Sequence, residues 1–130
     1  MTIYRQTDPS IWENGPEFLQ WVRSPERASE ISMFNMSTDP EDPDAPMAML
    51  LRLPPGYVLQ RHGHDCYRVE VLIEGSLTVE GGHVLEPGDV SVTEPHVFYG
   101  PHIAGPEGSL SVEIFSRSTS VAALFENDEG

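Results

Sequence analysis

Two histidines separated by one residue, His62 and His64, are the residues in this sequence best suited to chemistry. They follow a turn signal at Pro54–Gly56 and precede a series of short apolar runs. Side chains alternate between the faces of a strand, so in a strand both imidazoles point the same way. Paired neutral imidazoles suit Fe, Zn, Cu, Ni or Mn. Because a catalytic metal site needs three or four protein ligands and an open position, further donors are expected elsewhere in the chain.

The residues around this pair resemble the first motif of the cupin superfamily. Gly56 precedes His62 by five intervening residues, and Gly75 stands where a glycine closes the next hairpin of that motif. Further along, Glu86–Asp89 resembles the turn of the second cupin motif, and Pro95–His102 covers the region of its histidine. The resemblance implies an all-β cupin double-stranded β-helix, a jelly-roll-like barrel with one or two short helices.

Two positions depart from the family pattern. The glutamate of the first motif falls on Arg68, although Glu70 follows two residues later. The histidine of the second motif falls near Tyr99, and the nearest histidines are His96 and His102. Which of Tyr99, His96 and His102 completes the site is left open.

The resemblance also suggests a ligand set and a cofactor. His62, His64 and His102 together would resemble the variant cupins that hold iron through three histidines without the glutamate, with Glu70 as a further candidate ligand. The implied cofactor is one divalent transition metal, namely Fe, Zn, Mn, Ni or Cu.

The register of the strand after His64 decides what Glu70 can do. In a regular strand, Arg68, Glu70 and Leu72 face inward with the histidines. Glu70 is then a ligand or a general base. A bulge would instead turn the odd-numbered residues 69–73 inward and leave Arg68 and Glu70 as a surface pair.

Three further side chains have candidate roles. An inward Arg68 could clamp a carboxylate or enolate oxygen, and Tyr99 could donate a hydrogen bond or act as an acid. Cys66 is either a soft ligand or, more commonly for cysteine, a buried structural thiol. His83 follows Gly82 in a turn and is expected to be exposed.

Length and composition predict a single domain of short strands. The chain has 130 residues, with 12 prolines and 11 glycines between the apolar runs. We expect an N-terminal part with an acidic loop (1–46), a barrel core (47–117) and a C-terminal tail (118–130). Either a short helical turn or a strand is expected after Pro16, and the tail could hold a short helix over Val121–Phe125. Turns are expected at Glu74–Gly75, Gly81–Gly82 and Pro87–Asp89. The expected strands lie around Ile31 and Met33 and at Met47–Leu53, Tyr57–Arg61, Tyr67–Ile73, Ser76–Glu80, His83–Leu85, Val90–Thr93 and Leu110–Phe115.

The charge of the chain restricts its partners. A formal net charge of −14 and a pI near 4.4 disfavour binding to nucleic acid or to an anionic membrane surface. Cys66 is the single cysteine, which suits a reducing compartment. No apolar signal segment is visible at the N-terminus. We therefore expect a cytoplasmic protein.

Three functions follow as hypotheses. The first is a metal-dependent cupin enzyme acting on a small oxygenated organic molecule in the barrel, by dioxygenation or by isomerisation or cyclisation through an enolate. The second is a non-catalytic cupin that binds or senses a small molecule without the full metal site. The third is a structural dimerisation barrel. Apolar residues on both faces of residues 69–73 predict a homodimer under any of these.

Overall fold

The structure is a computed structural model that describes residues 1–13, 19, 21–22, 30–36, 39, 41–42 and 44–126. Most of the segment after Pro16, expected as a helical turn or a strand, lies outside these residues. The predicted all-β architecture is confirmed for the described part of the chain. Its seven strands are β1 (Glu30–Asn35), β2 (Met47–Leu53), β3 (Val58–Leu59), β4 (Arg68–Thr78), β5 (Val84–Leu85), β6 (Val90–Thr93) and β7 (His102–Phe115).

The two long strands, β4 and β7, organise an antiparallel sheet. The first half of β4 pairs with β6, and its end pairs with β5. The start of β7 pairs with β3, and its second half pairs with β2, which in turn pairs with β1. Inward side chains from both ends of the long strands, including Leu72, Leu77, Ala104 and Phe115, belong to one buried cluster. The sheet therefore bends around a single core.

The turn expected at Glu74–Gly75 is wrong, because β4 runs through both residues. Register shifts interrupt its pairing with β7 between Leu72 and Glu74 and between Gly75 and Leu77. Gly75 has φ +75°, and a Cβ there would lie 2.1 Å from the carbonyl oxygen of Gly108. The glycine thus permits close backbone contact within a bulged strand, and no chain reversal follows. The turns expected at Gly81–Gly82 and Pro87–Asp89 are present.

The C-terminal tail also differs from the prediction. A 3₁₀ helix occupies Ser118–Ser120, and the helix expected over Val121–Phe125 does not form. Leu124 pairs instead with Gly63, through backbone hydrogen bonds of 2.9 and 2.8 Å. Across the described residues the helical segments are short 3₁₀ turns, with no α-helix. The tail thereby fastens the loop that contains the two histidines.

The outer face of β4 and β6 keeps apolar side chains in solvent. Ile73, Val90 and Val92 are 38, 56 and 69% exposed. The homodimer expected from this pattern stays a prediction. No helix in the described part of the chain is long and apolar enough to cross a membrane.

Candidate functional site

Backbone pairing fixes the loop that presents the two histidines. His62 and Tyr99 form an antiparallel bridge with hydrogen bonds of 3.0 and 2.8 Å. The amide of His96 donates to the carbonyl of His64 at 2.8 Å. Together with the Gly63–Leu124 bridge, these bonds hold three consecutive residues of the loop. The imidazoles are therefore positioned by the sheet and the tail, although they lie outside the named strands.

Three side-chain atoms that could bind a metal ion lie close together inside the loop. The Nε2 atoms of His62 and His64 each lie 2.9 Å from the hydroxyl oxygen of Tyr99. The two imidazole centroids are 5.1 Å apart, and both side chains are buried. Aromatic rings pack around them. The ring centroids of Trp21 and His62 are 4.7 Å apart, and those of Phe115 and His64 are 4.8 Å apart. The pair is consequently buried largely among aromatic side chains.

Burial keeps both imidazoles neutral. Loss of solvent, with a smaller contribution from the nearby charge of Arg68, lowers the pKa of His62 to about 3 and that of His64 to about 4. Burial also raises the pKa of the Tyr99 phenol, an effect that the Arg68 charge partly offsets. Near neutral pH the site therefore presents two uncharged imidazoles and a protonated phenol.

The contacts assign the protons of this triad. His62 Nδ1 lies 2.7 Å from the carbonyl oxygen of Gln60, so it carries a proton and leaves Nε2 as an acceptor. Tyr99 then donates to His62, and His64 donates from Nε2 to the Tyr99 oxygen. His64 Nδ1 is left without a hydrogen bond of normal geometry among the described residues. Backbone groups of residues 120–122 nevertheless lie close enough to raise its pKa in part.

A charged cluster lies beside the triad. Arg68 is 1% exposed, donates to Glu113 through Nε and Nη2, and contacts Glu70 at 3.1 Å. Burial alone would lower the pKa of Arg68, but the Glu113 and Glu70 carboxylates raise it, so the guanidinium stays charged. Its central carbon lies 4.3 Å from the Tyr99 ring centre. Tyr99 therefore contacts imidazoles through its hydroxyl and a cation through its ring.

The strand register that sequence left open is the regular one. Arg68, Glu70 and Leu72 are buried. Val69, Val71 and Ile73 lie on the outer face. Glu70 pairs in register with Glu113 of β7 and Ser91 of β6. The surface-pair interpretation of Arg68 and Glu70 is therefore wrong.

The predicted metal sets are not assembled. Among the described residues, no group of three or more His, Cys, Asp or Glu side chains is placed to hold a metal ion. The ring centroids of Tyr99 and His102 are 5.2 Å apart, while the Tyr99 hydroxyl contacts His62 and His64. Glu70 contacts Arg68. His102 and Glu70 thus lie near the pair without joining it.

The remaining candidates have other surroundings. His96 is exposed and contacts Asp65 at 2.8 Å. His83 is exposed, as expected. Cys66 is buried, and its thiol lies 3.9 Å from the carbonyl oxygen of Ser120.

One buried group was missed at the sequence level. Glu113 is 3% exposed and accepts two hydrogen bonds from Arg68, which lies 45 residues earlier in the chain. The alternation in β7 contained the signal, since Ser111, Glu113 and Phe115 share one face. A glutamate on the buried face of a strand requires a cationic partner.

Two cavities lie beside these groups and share no lining residue. The first, about 20 Å³, lies between mainly apolar side chains and is bordered by His62, His64 and Glu113. The second, about 150 Å³, is lined by Arg68, Val79, Glu80, Ser91, Thr93, Tyr99 and His102. The larger volume therefore adjoins the guanidinium, and the imidazole side is nearly filled.

The overall structure is similar to several solved structures. A cupin described as RmlC-like from Shewanella frigidimarina matches 78% of this chain and 81% of its own, with 21% identity and a TM-score of 0.55. The chain has the cupin fold. KdgF from Halomonas sp. matches 77% of this chain and 84% of its own, with 23% identity and a TM-score of 0.54.

A third similar structure is that of a protein with metal centres. The oxalate decarboxylase of Bacillus subtilis, a protein with Mn(II) centres, matches 78% of this chain over 27% of its own length, with 18% identity and a TM-score of 0.54. No protein-family model matches the sequence, and no curated protein matches it. At these identities the similarity establishes the cupin fold alone.

Proposed function

We propose that this protein is a metal-dependent cupin enzyme that acts on a small oxygenated organic molecule. The metal would be one divalent transition ion held by His62 Nε2, His64 Nε2 and the Tyr99 oxygen. The observation that carries the proposal is the convergence of these atoms, with both imidazole–phenol separations at 2.9 Å. An ion with bonds of about 2.1 Å separates ligands at right angles by about 3 Å.

The chemistry of the donors fits such an ion. Both imidazoles are neutral, as metal ligands must be. The bond from His62 Nδ1 to Gln60 fixes the tautomer that leaves Nε2 free to coordinate. His64 would change tautomer and place a proton on its unbonded Nδ1, beside the backbone of residues 120–122.

The nearby charges favour a cation. Arg68 is paired with two carboxylates, Glu70 and Glu113, so the buried cluster is formally negative. The protein as a whole is also strongly acidic. The two carboxylates therefore outweigh the positive charge of Arg68, which would otherwise repel a bound cation.

The substrate would lie in the cavity beside Arg68, and the bound ion would supply Lewis-acid polarisation of a substrate oxygen. Arg68 would orient that oxygen through Nη1, which has no hydrogen-bond partner among the described residues. Glu70 would accept a proton through Oε1, which contacts Arg68 but makes no hydrogen bond of normal geometry within the described part of the chain. A donor beside a base favours proton transfer next to a carbonyl, as in isomerisation or cyclisation, over dioxygenation.

A second candidate function is a non-catalytic cupin that binds a small molecule without metal. The hydroxyl of Tyr99 favours it, because one phenol already satisfies both Nε2 atoms. The arginine at the position of the family's glutamate favours it as well.

Elemental analysis of protein purified without chelator tests the metal proposal. Wild type should contain about one transition metal per chain, and His62→Ala or His64→Ala should lose it because two ligands rarely retain an ion. His83→Ala, which removes an exposed histidine, is the matched control and should keep the metal. If wild type contains no metal and added Fe, Zn, Mn, Ni and Cu all fail to bind, the metal-free cupin is the better account.

A further inference from the structure

Three residues that line the cavity beside Arg68 each have a buried polar atom without a hydrogen-bond partner among the described residues. The atoms are Arg68 Nη1, His102 Nδ1 and Ser91 Oγ. Arg68 and His102 are 1% and 4% exposed. Buried polar groups in folded proteins are normally paired, so these three atoms are available to pair with a ligand in the cavity.

The hydrogen-bonding roles of these atoms limit the ligand. Arg68 can only donate, whereas a serine hydroxyl and a neutral imidazole can donate or accept. Thr93, which pairs in register with Arg68, adds another hydroxyl to the lining. Hydroxyl and carbonyl oxygens on neighbouring carbons would satisfy this mixed set of partners.

The surrounding charges argue against a carboxylate. The positive charge of Arg68 is already opposed by Glu70 and Glu113, and Glu80 borders the same cavity. Glu80 accepts a hydrogen bond from the Gly100 amide at 2.7 Å and lies 3.4 Å from Arg61. An anion would lose its hydration here without a net attraction to compensate.

We propose that this cavity binds a small neutral molecule with two neighbouring oxygens, either a vicinal diol or an α-hydroxy carbonyl compound. One oxygen accepts from Arg68 Nη1, and the other pairs with Ser91 and His102. The volume of about 150 Å³ is about five times that of one water in the liquid, which suits a molecule of about three or four carbons. The inference names the substrate class of the proposed enzyme and rests on that function only in calling the ligand a substrate.

Matched pairs of probes test the role of charge. Hydroxyacetone and pyruvate are nearly isosteric, as are 1,2-propanediol and lactate, and each pair differs by one negative charge. Binding is measured from NMR chemical-shift changes, once with EDTA and once with added zinc. The neutral member of each pair should bind about tenfold more tightly than the anion.

Two variants locate the binding. Ser91→Ala should weaken binding of hydroxyacetone by about five- to tenfold, as expected for one lost hydrogen bond. Ser116→Ala, which removes an exposed serine, should leave it unchanged. Tighter binding of pyruvate and lactate, no binding of the neutral probes, or equal binding by Ser91→Ala would each overturn the inference.

The binding measurement with EDTA tests the cavity assignment independently of the proposed metal site. Neutral probes that bind to protein unable to take up any metal would support the cavity assignment and contradict the metal enzyme. Protein that takes up metal but binds no neutral probe, with EDTA or with zinc, would contradict the cavity assignment alone.

Discussion

The side chains buried on the two sides of Tyr99 have opposite charge states: neutral on the hydroxyl side and ionised on the ring side. On the hydroxyl side, His62 and His64 are buried among aromatic rings and remain neutral. On the ring side, Arg68 is as deeply buried but stays charged, because Glu70 and Glu113 surround it. The difference shows that depth alone does not decide the charge of a side chain, since the available partners do.

The largest expected effect is on the charged side. Arg68→Met removes the cation and leaves two carboxylates buried beside each other, so it should lower the free energy of unfolding by about 3–5 kcal/mol. Urea denaturation monitored by circular dichroism measures the change. Arg61→Met is the matched control, because Arg61 makes its ion pairs at the surface, and it should leave stability nearly unchanged.

A triple variant sharpens this test. Adding Glu70→Gln and Glu113→Gln to Arg68→Met should restore much of the lost stability, because no unpaired charge then remains buried. If Arg68→Met costs no more than Arg61→Met, the buried cluster does not stabilise the fold.

The imidazole side should respond to pH. The pKa values of His62 and His64 in the folded protein, about 3 and about 4, lie below the ~6.5 of an unfolded histidine. The unfolded chain therefore binds more protons below pH 6.5, and stability falls as the pH falls. Between pH 6.5 and pH 5 the two imidazoles together should lower the free energy of unfolding by roughly 3 kcal/mol.

Denaturation curves at a series of pH values test this dependence. His62→Gln should show a shallower pH dependence than wild type, because it removes one of the two titrating groups. An identical slope in the variant would mean that His62 is not the group responsible.

Tyr99 itself gives the smallest expected effect on stability. Without metal, Tyr99→Phe removes one hydroxyl and leaves two imidazole nitrogens unpaired, which should cost roughly 1–2 kcal/mol. Equilibrium unfolding in EDTA measures this cost. A stabilised variant would indicate that the phenol is strained against the imidazoles in the metal-free protein.

Local patterns predicted part of this arrangement and long-range pairing determined the rest. Alternation along an extended chain predicted that His62 and His64 point the same way, although both lie outside the named strands, and it offered the correct register for Arg68 and Glu70. The role of Gly75 was misjudged, because a glycine that allows a turn also allows the close approach to Gly108 seen here. Only the pairing of β4 with β7 brings Glu113 to Arg68.

The third metal ligand could not be read from the sequence for a related reason. The sequence left open whether Tyr99, His96 or His102 completes the site, and the resemblance to three-histidine cupins favoured His102. The bridge between His62 and Tyr99 instead sets a phenol against both imidazoles. Such a backbone bridge depends on how the loop before β7 folds back, which spacing along the chain does not specify.

Visible absorption of the iron-loaded protein tests the central claim, that Tyr99 joins His62 and His64 in holding a metal ion. The protein is loaded with Fe(II), oxidised in air and freed of unbound iron. Wild type should then show the charge-transfer absorption of a phenolate bound to Fe(III), and Tyr99→Phe should lack it. Iron-loaded wild type without this absorption, or Tyr99→Phe with the same absorption, would contradict the account.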